Sequence, residues 1–253
     1  MSKLKTPAEI EAMARPGRII ARLFRQLEER VAPGVSTGEL DQFAESFIRD
    51  HDGAIPAFKG LYGFPATICA SVNHEVVHGI PTHFRQLVEG DIVSVDVGVE
   101  LDGWFADCAR TIPVGEVDPE TSLLLEVTRD ALRLGIEQAR AGHRVGDIGS
   151  VVQRRAEDAG FSVVRELVGH GIGREPHEEP QVPNFGAAGQ GPRLEEGLVI
   201  AIEPMLNAGV SDVRTLADRW TVVTADRRRS AHFEHTVAIT ANGPRILTRD
   251  DEG

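Results

Sequence analysis

The order of helix and strand signals predicts an α+β fold, with two similar helix-then-strand halves around a central antiparallel sheet. Two helical segments precede a first block of strands, and two more precede a second block. A tight-turn signal in the first strand block is typical of antiparallel pairing. Because no linker or low-complexity segment interrupts the chain, we expect one domain over residues 1–253.

The two helices of the first half are predicted from their capping boxes, in which a Ser or Thr side chain and a Glu three residues later cap each other's backbone. The boxes are Thr6 with Glu9 and Ser36 with Glu39. The first helix is expected over residues 7–31, with Pro16-Gly17 as a candidate break. The second is expected to end at Gly53.

The second half begins with a helix expected from Asp118 to about Gly142, followed by another over residues 147–159. Apolar residues at helical spacing give the first of these a buried face. That face consists of Leu123, Leu124, Val127, Ala131 and Leu134.

Strands are predicted where β-branched residues cluster between turn signals. They are Ala66–Val77, Asp91–Leu101, Trp104–Thr111, Leu198–Glu203, Trp220–Thr224 and His232–Thr240. The segment Gly171–Gly197 lacks periodicity, and a long irregular stretch of this kind is usually functional or mobile.

A hairpin at Asp102-Gly103 would bring two aspartates together. A two-residue turn there places Asp107 opposite Gly98. It also places Asp96 opposite Ala109. The aspartates then point to the same face as diagonal neighbours, ~7–8 Å apart at Cα, and Gly98 leaves space above them.

Two converging negative charges repel each other, and a divalent cation between them would remove that repulsion. A solvated sheet face is the alternative explanation for Asp96 and Asp107.

Three more residues extend this set. Glu203 ends an apolar run, Glu234 lies inside a predicted strand, and His170 stands between glycines that allow close approach of a ligand. Two Asp, two Glu and one His suit two divalent ions, as in two-metal hydrolases. Taken singly, an exposed edge-strand glutamate or an ordinary loop histidine would explain each of them.

Composition excludes several classes of protein. The formal net charge is −12, which argues against nucleic-acid binding over the whole surface. No signal peptide is evident, and no apolar run approaches the ~20 residues of a membrane span. The two cysteines form no disulfide framework. We therefore expect a cytoplasmic protein with no membrane contact.

Several separate motifs, in the same order along nearly the whole chain, carry a resemblance to a known family. They are residues 65–73 (PATICASVN), 77–81 (VHGIP), 169–173 (GHGIG), 203–204 (EP), 220–224 (WTVVT) and 232–236 (HFEHT). The chain resembles the type I methionine aminopeptidases, which have the pita-bread metallopeptidase fold.

The resemblance implies two divalent ions (Co, Mn, Fe or Zn) held by the five residues gathered above: Asp96, Asp107, His170, Glu203 and Glu234. It implies that Asp107 and Glu234 bridge the ions and that Glu203 is also the general base. It assigns His78 and His177 to catalytic contact with the substrate.

The resemblance also implies a pocket for methionine at Phe64, Cys69 and Trp220, with Leu61 and Tyr62 nearby. Ordinary core packing is the alternative for the aromatic residues. Three residues depart from the family pattern and affect the expected shape of the pocket: Arg219, Pro176 and Leu61.

The implied activity is removal of the initiator methionine from nascent polypeptides when the second residue is small. Two alternatives are a proline-cleaving aminopeptidase or prolidase of the same fold, and a non-catalytic binding protein that has lost its metal ligands. Only 95 residues precede Asp96, which leaves no room for the extra N-terminal domain typical of the prolidases.

A basic segment suggests one further partner. Residues 212–229 hold five arginines and three aspartates, a net charge of +2 in an acidic protein. The arginines are Arg214, Arg219, Arg227, Arg228 and Arg229. They are interpreted either as a solvated turn or as a contact with ribosomal RNA near the exit tunnel. With no coiled-coil pattern present, we expect a monomer.

Overall fold

A computed structural model of the chain describes residues 4–249. Within them, the α-helices are α1 (Pro7–Arg30), α2 (Thr37–Arg49), α3 (Pro119–Gln138) and α4 (Val145–Asp158). The strands of the first half are β1 (Ala54–Pro56), β2 (Cys69–Val72), β3 (Glu75–Val77), β4 (Ile92–Leu101) and β5 (Trp104–Pro113). Those of the second half are β6 (Ser162–Val163), β7 (Gly169–Gly171), β8 (Glu178–Val182), β9 (Val199–Ile202), β10 (Met205–Asn207), β11 (Val213–Thr215), β12 (Val222–Thr224), β13 (Ser230–His232), β14 (His235–Thr240) and β15 (Gly243–Ile246).

Both capping boxes of the first half are formed as predicted, at Thr6 and at Ser36. The candidate break in α1 is wrong, because the helix continues through Pro16. Gly17 lets the backbone of Leu247 pack directly against the helix at that level. This support from the C-terminal segment stabilises the helix where Pro16 removes a backbone donor.

The first half has a core between α1, α2 and the long β4–β5 hairpin. Leu101 pairs with Trp104, which confirms the two-residue turn. The valines at 93, 95, 97 and 99 are buried on the face of β4 that meets the helices. The helix stripe formed by Ile20, Leu23 and Leu27 covers that face.

The second half repeats the arrangement, because α3 and α4 pack together over β9 and β14. Helix α3 ends at Gln138, before the expected Gly142. Leu123, predicted to be buried, is 43% exposed. The α+β class with two helix-then-strand halves is confirmed.

The strands are all paired antiparallel, as predicted, but they form four hydrogen-bonded sheets rather than one within residues 4–249. Two predicted strands are interrupted. Ala66–Val77 contains β2 and β3, and His232–Thr240 contains the last residue of β13 and all of β14. The segment Gly171–Gly197, expected to be irregular, contains β8.

Side chains and backbone join the two halves directly. The Glu234 N–H donates to the Ala109 carbonyl at 2.9 Å. The Asp107 N–H donates to the Thr236 hydroxyl at 2.9 Å, and that hydroxyl donates to the Asp107 carbonyl at 2.8 Å. The β4–β5 hairpin is thereby held against the second half. No helix in the described part of the chain has both the length and the apolar character needed to cross a membrane.

Candidate active site

The β4–β5 hairpin brings the two aspartates together as the turn arithmetic predicted. Asp107 lies opposite Gly98, and Asp96 lies opposite Ala109. Space is open above the aspartates, which both line a cavity, but the position directly over Gly98 is filled by Phe58. A Cβ added at Gly98 would lie 2.7 Å from Phe58 Cε1. Glycine at this position therefore admits an aromatic wall beside the aspartates.

The two glutamates lie at a break in an otherwise continuous pair of strands. Ile202 pairs with His235 on one side of the break, and Met205 pairs with His232 on the other. Pro204 has no N–H to donate, which favours an interruption of the ladder there. Glu203-Pro204 and Phe233-Glu234 are left facing each other between the pairs, so both carboxylates turn toward the aspartates.

His170 comes from β7 and completes the cluster. Its Nδ1–H donates to the Gly171 carbonyl at 2.9 Å, which leaves Nε2 free to face the acids. Nε2 lies 3.6 Å from Glu203 Oε1 and 4.0 Å from Asp107 Oδ2. One ligand atom from each of Asp107, His170 and Glu234 lies within 4.8 Å of the others.

Burial and mutual repulsion perturb every carboxyl of this cluster. Burial raises the pKa of Asp107 to about 6. Burial and the nearby carboxylates raise the pKa values of Asp96, Glu203 and Glu234 well above their ordinary range. Burial, together with His177, lowers the pKa of His170 to about 4, so its imidazole is neutral near pH 7.

The donor set fits divalent metal ions. Within residues 4–249, three buried carboxylate oxygens of the cluster have no hydrogen-bond partner, namely Asp96 Oδ1, Asp107 Oδ1 and Glu234 Oε1. An unpaired buried acceptor is costly, whereas carboxylate oxygens with a neutral imidazole are ligands that divalent ions prefer.

A cavity of about 520 Å³ opens above the cluster. Phe64, Cys69 and Trp220 lie in its wall, and the Phe64 and Trp220 rings pack edge to face with centroids 5.1 Å apart. Burial and the neighbouring aspartates raise the pKa of the Cys69 thiol well above its ordinary value, so a thiolate nucleophile is disfavoured. The cavity thus joins an apolar slot to an acidic floor.

Both histidines assigned to the substrate line the cavity. His78 has φ +58°, a conformation that costs energy outside glycine and is typical of functional sites. The neighbouring Gly79 N–H donates to Ser71 Oγ at 3.1 Å, which holds this backbone in place. The His177 ring packs against His170 with centroids 4.5 Å apart and against Tyr62 with centroids 5.9 Å apart.

The three residues that depart from the family pattern lie in different surroundings. Arg219 adopts φ +67°, a left-handed conformation that favours glycine. Leu61 lines the cavity. Pro176 is buried and does not belong to the cavity wall.

Residue-pattern reasoning missed Phe58 and Met205, which line the cavity, and Lys5, described below. Met205 follows Glu203-Pro204, and its nearness in sequence was an available signal. Phe58 lies just after β1 and carries no local pattern of its own. His232, two positions before Glu234, is also close to the cluster, since its Nε2 lies 3.8 Å from Glu203 Oε2.

The basic segment is partly neutralised by α3. Arg228 donates to Glu120, and Arg229 donates to Asp118 and to the Gly90 carbonyl. Arg214, Arg219 and Arg227 are exposed. Two of the five arginines therefore have a structural partner within the chain.

Comparison with known proteins gives matches over most of the chain. The family model for metallopeptidase family M24 matches residues 11–241. The chain is similar to a methionine aminopeptidase of Clostridium perfringens, with 53% identity over 97% of this chain and 98% of that one. It is also similar to methionine aminopeptidase 1 of Bacillus subtilis, with 52% identity over the same shares of the two chains.

Solved structures share the fold. The methionine aminopeptidase of Thermotoga maritima superposes with a TM-score of 0.97 and 43% identity, over 99% of this chain and 100% of that one. A prolidase from Pyrococcus furiosus reaches a TM-score of 0.79 with 24% identity, and the match spans 98% of this chain but only 66% of the prolidase. That second likeness concerns the fold alone.

Proposed function

The chain belongs to metallopeptidase family M24 and has its pita-bread fold, and on that premise we propose that it is a methionine aminopeptidase. It removes the N-terminal methionine of polypeptides whose second residue is small. The observation that carries the proposal is the acidic cluster on the floor of an apolar cavity. The similarity to named methionine aminopeptidases over nearly the whole chain supports it.

Members of a metallopeptidase family use divalent metal ions, and the orphaned carboxylate oxygens fit that use. We propose two ions, held by Asp96, Asp107, His170, Glu203 and Glu234. When bound, such ions polarise the scissile carbonyl and lower the pKa of water. Co, Mn, Fe and Zn all suit this donor set.

The protein side chains supply proton transfer and substrate positioning. Glu203 has a raised pKa, as befits a general base that accepts a proton from the attacking water. His78 and His177 line the cavity and contact the scissile amide and the following residue. Phe64, Cys69 and Trp220 enclose an apolar thioether and exclude charged side chains.

Peptide cleavage separates this function from its alternatives. The protein is incubated with Met-Ala, Met-Leu and Ala-Pro peptides in the presence of each metal, and the products are identified by mass spectrometry. Cleavage of Met-Ala well above Met-Leu and Ala-Pro is expected. Preference for Ala-Pro would indicate a prolidase, and no cleavage with any metal would indicate a binding protein.

We also propose that the exposed arginines at 214, 219 and 227 contact ribosomal RNA beside the exit tunnel, with the protein acting as a monomer. Charge reversal of all three to Glu should weaken co-sedimentation with ribosomes and leave free-peptide turnover unchanged. A matched variant reverses Arg133, which forms an ion pair with Asp130 elsewhere on the surface. If the triple-Glu variant and the Arg133 variant bind ribosomes equally well, and added salt does not weaken that binding, the proposed ribosome contact is contradicted.

A further inference from the structure

Lys5 lies just before α1, and its side chain is buried. Its Nζ lies 2.6 Å from Glu178 Oε2, and the two side chains are only 3% and 7% exposed. A buried ion pair of this kind is costly to form unless its geometry is good and its remaining polar atoms are satisfied. Stability alone therefore does not explain why the Lys5–Glu178 ion pair is present.

Two glycines make room for this lysine. A Cβ at Gly173 would lie 2.5 Å from Lys5 Cε and 2.6 Å from Glu178 Oε1. A Cβ at Gly197 would lie 2.6 Å from the Lys5 carbonyl oxygen, and the Lys5 N–H donates to the Gly197 carbonyl at 2.7 Å. The last glycine of the motif Gly169–Gly173 thus has a role that the metal cluster does not explain.

Glu178 uses its second oxygen to close a loop. Oε1 accepts the Arg174 N–H at 2.9 Å and the Glu175 N–H at 3.4 Å. Residues 174–177 are therefore folded back onto the carboxylate that follows them, and His177 is the last residue of that loop. The Lys5 ammonium compensates the charge of the carboxylate on which the loop is folded.

We propose that Lys5 is a positioning residue for the active site: through Glu178 it holds the loop that presents His177 to the substrate. The role of His177 rests on the proposed function. Without the ammonium, Glu178 would be an uncompensated buried charge that turns outward or becomes protonated, and the loop would lose its anchor. Lys5, just before α1, thereby helps to fix the position of His177 in the wall of the cavity.

The first test is a double-mutant cycle of Lys5→Met and His177→Ala, with kcat and KM measured on a Met-Ala peptide. Lys5→Met alone should lower kcat/KM by about tenfold or more, because misplaced contact groups have effects of that size. In the His177→Ala background the same substitution should have little further effect, because both changes remove one contact. An equal loss in both backgrounds would overturn the proposal.

The control variant is Arg15→Met. Arg15 also lies on α1 and forms an ion pair with Asp102 at 2.6 Å, but both side chains are more than half exposed. This variant should leave kcat/KM unchanged. If Lys5→Met does not fold, Glu178→Ala replaces it, since it removes the carboxylate that contacts Lys5 and accepts the loop N–H groups. Wild-type turnover by Glu178→Ala would overturn the proposal.

A second readout does not depend on activity. In protein labelled at its histidines, the ring signal of His177 is identified by its disappearance in His177→Ala and followed by NMR. Lys5→Met should shift or broaden that signal, and Arg15→Met should not. An unmoved signal in Lys5→Met would overturn the proposal. A moved signal in a protein that does not cleave Met-Ala peptides would support the loop contact and refute only the proposed function.

Discussion

Asp107 is the residue on which the candidate site converges. It is 5% exposed, and its Oδ1 has no hydrogen-bond partner in the described part of the chain. One of its oxygens lies within 4.8 Å of potential ligand atoms of His170 and Glu234. Its backbone is fixed by Thr236 from the other half of the molecule. A charge change here should therefore affect metal binding without disturbing the local backbone.

Asp107→Asn should lower metal occupancy and reduce turnover by about two orders of magnitude or more, as loss of a metal-site group commonly does. An amide cannot bridge two cations as a carboxylate does. Metal content is measured by elemental analysis, together with peptide turnover. Asp102→Asn is the matched control, because Asp102 lies at the exposed turn of the same hairpin and Asn tolerates its φ of +54°. Full metal content and near-normal turnover in Asp107→Asn would contradict the assignment.

At the scale of elements, the hairpin was predictable and the broken ladder was not. A two-residue turn sets every pairing of β4 with β5, so the positions of Asp96 and Asp107 followed from local sequence alone. The break at Glu203-Pro204 depends on a partner strand about thirty residues away, and no local pattern encodes that pairing. The roles of Glu203 and Glu234 accordingly came from family resemblance.

Two further features depended on tertiary contacts between distant segments. Gly98 was expected to leave open space, but Phe58 arrives from another element and fills it. The role of Lys5 was not predictable from its neighbours in sequence, because its partner Glu178 lies 173 positions along the chain. Charge and size at one position do not reveal which distant segment will pack there.

Gly98→Ala should destabilise the protein by about 1–3 kcal/mol, as overpacking of a filled site usually does. The added Cβ meets Phe58 at 2.7 Å and Ala57 at 3.0 Å. Because Phe58 also lines the cavity, KM for a Met-Ala peptide should rise. Urea unfolding and steady-state kinetics provide the measurements. In a Phe58→Leu background the ring atoms are gone, so the same alanine should cost little; an equal cost there would refute the steric explanation.

For the whole molecule, the buried carboxyl groups make the free energy of unfolding depend on bound metal and on pH. Burial raises the pKa of Asp107 from 3.8 to about 6. A carboxyl whose folded-state pKa is raised contributes stability below its unfolded pKa of 3.8, and this contribution is lost as the pH rises through about 6. Bound cations offset the resulting repulsion.

Removal of metal by a chelator should therefore lower Tm more at about pH 8 than at about pH 5. Calorimetry of the metal-loaded and metal-free protein at both values measures the difference. The metal-free Asp107→Asn variant should show a weaker fall in Tm with rising pH, since one of the titrating acids is gone. A metal-dependent Tm shift of the same size at both pH values would contradict this account.

The proposed metal ligands are divided between the two halves of the chain. Asp96 and Asp107 come from the β4–β5 hairpin, whereas His170, Glu203 and Glu234 come from the second half. A chain still being synthesised has only the two aspartates until its second half has emerged and docked. Metal binding at the proposed site would thus be a late event in biogenesis, after the two halves have docked, and a polypeptide cut between β5 and α3 would bind cations there only if both fragments reassembled.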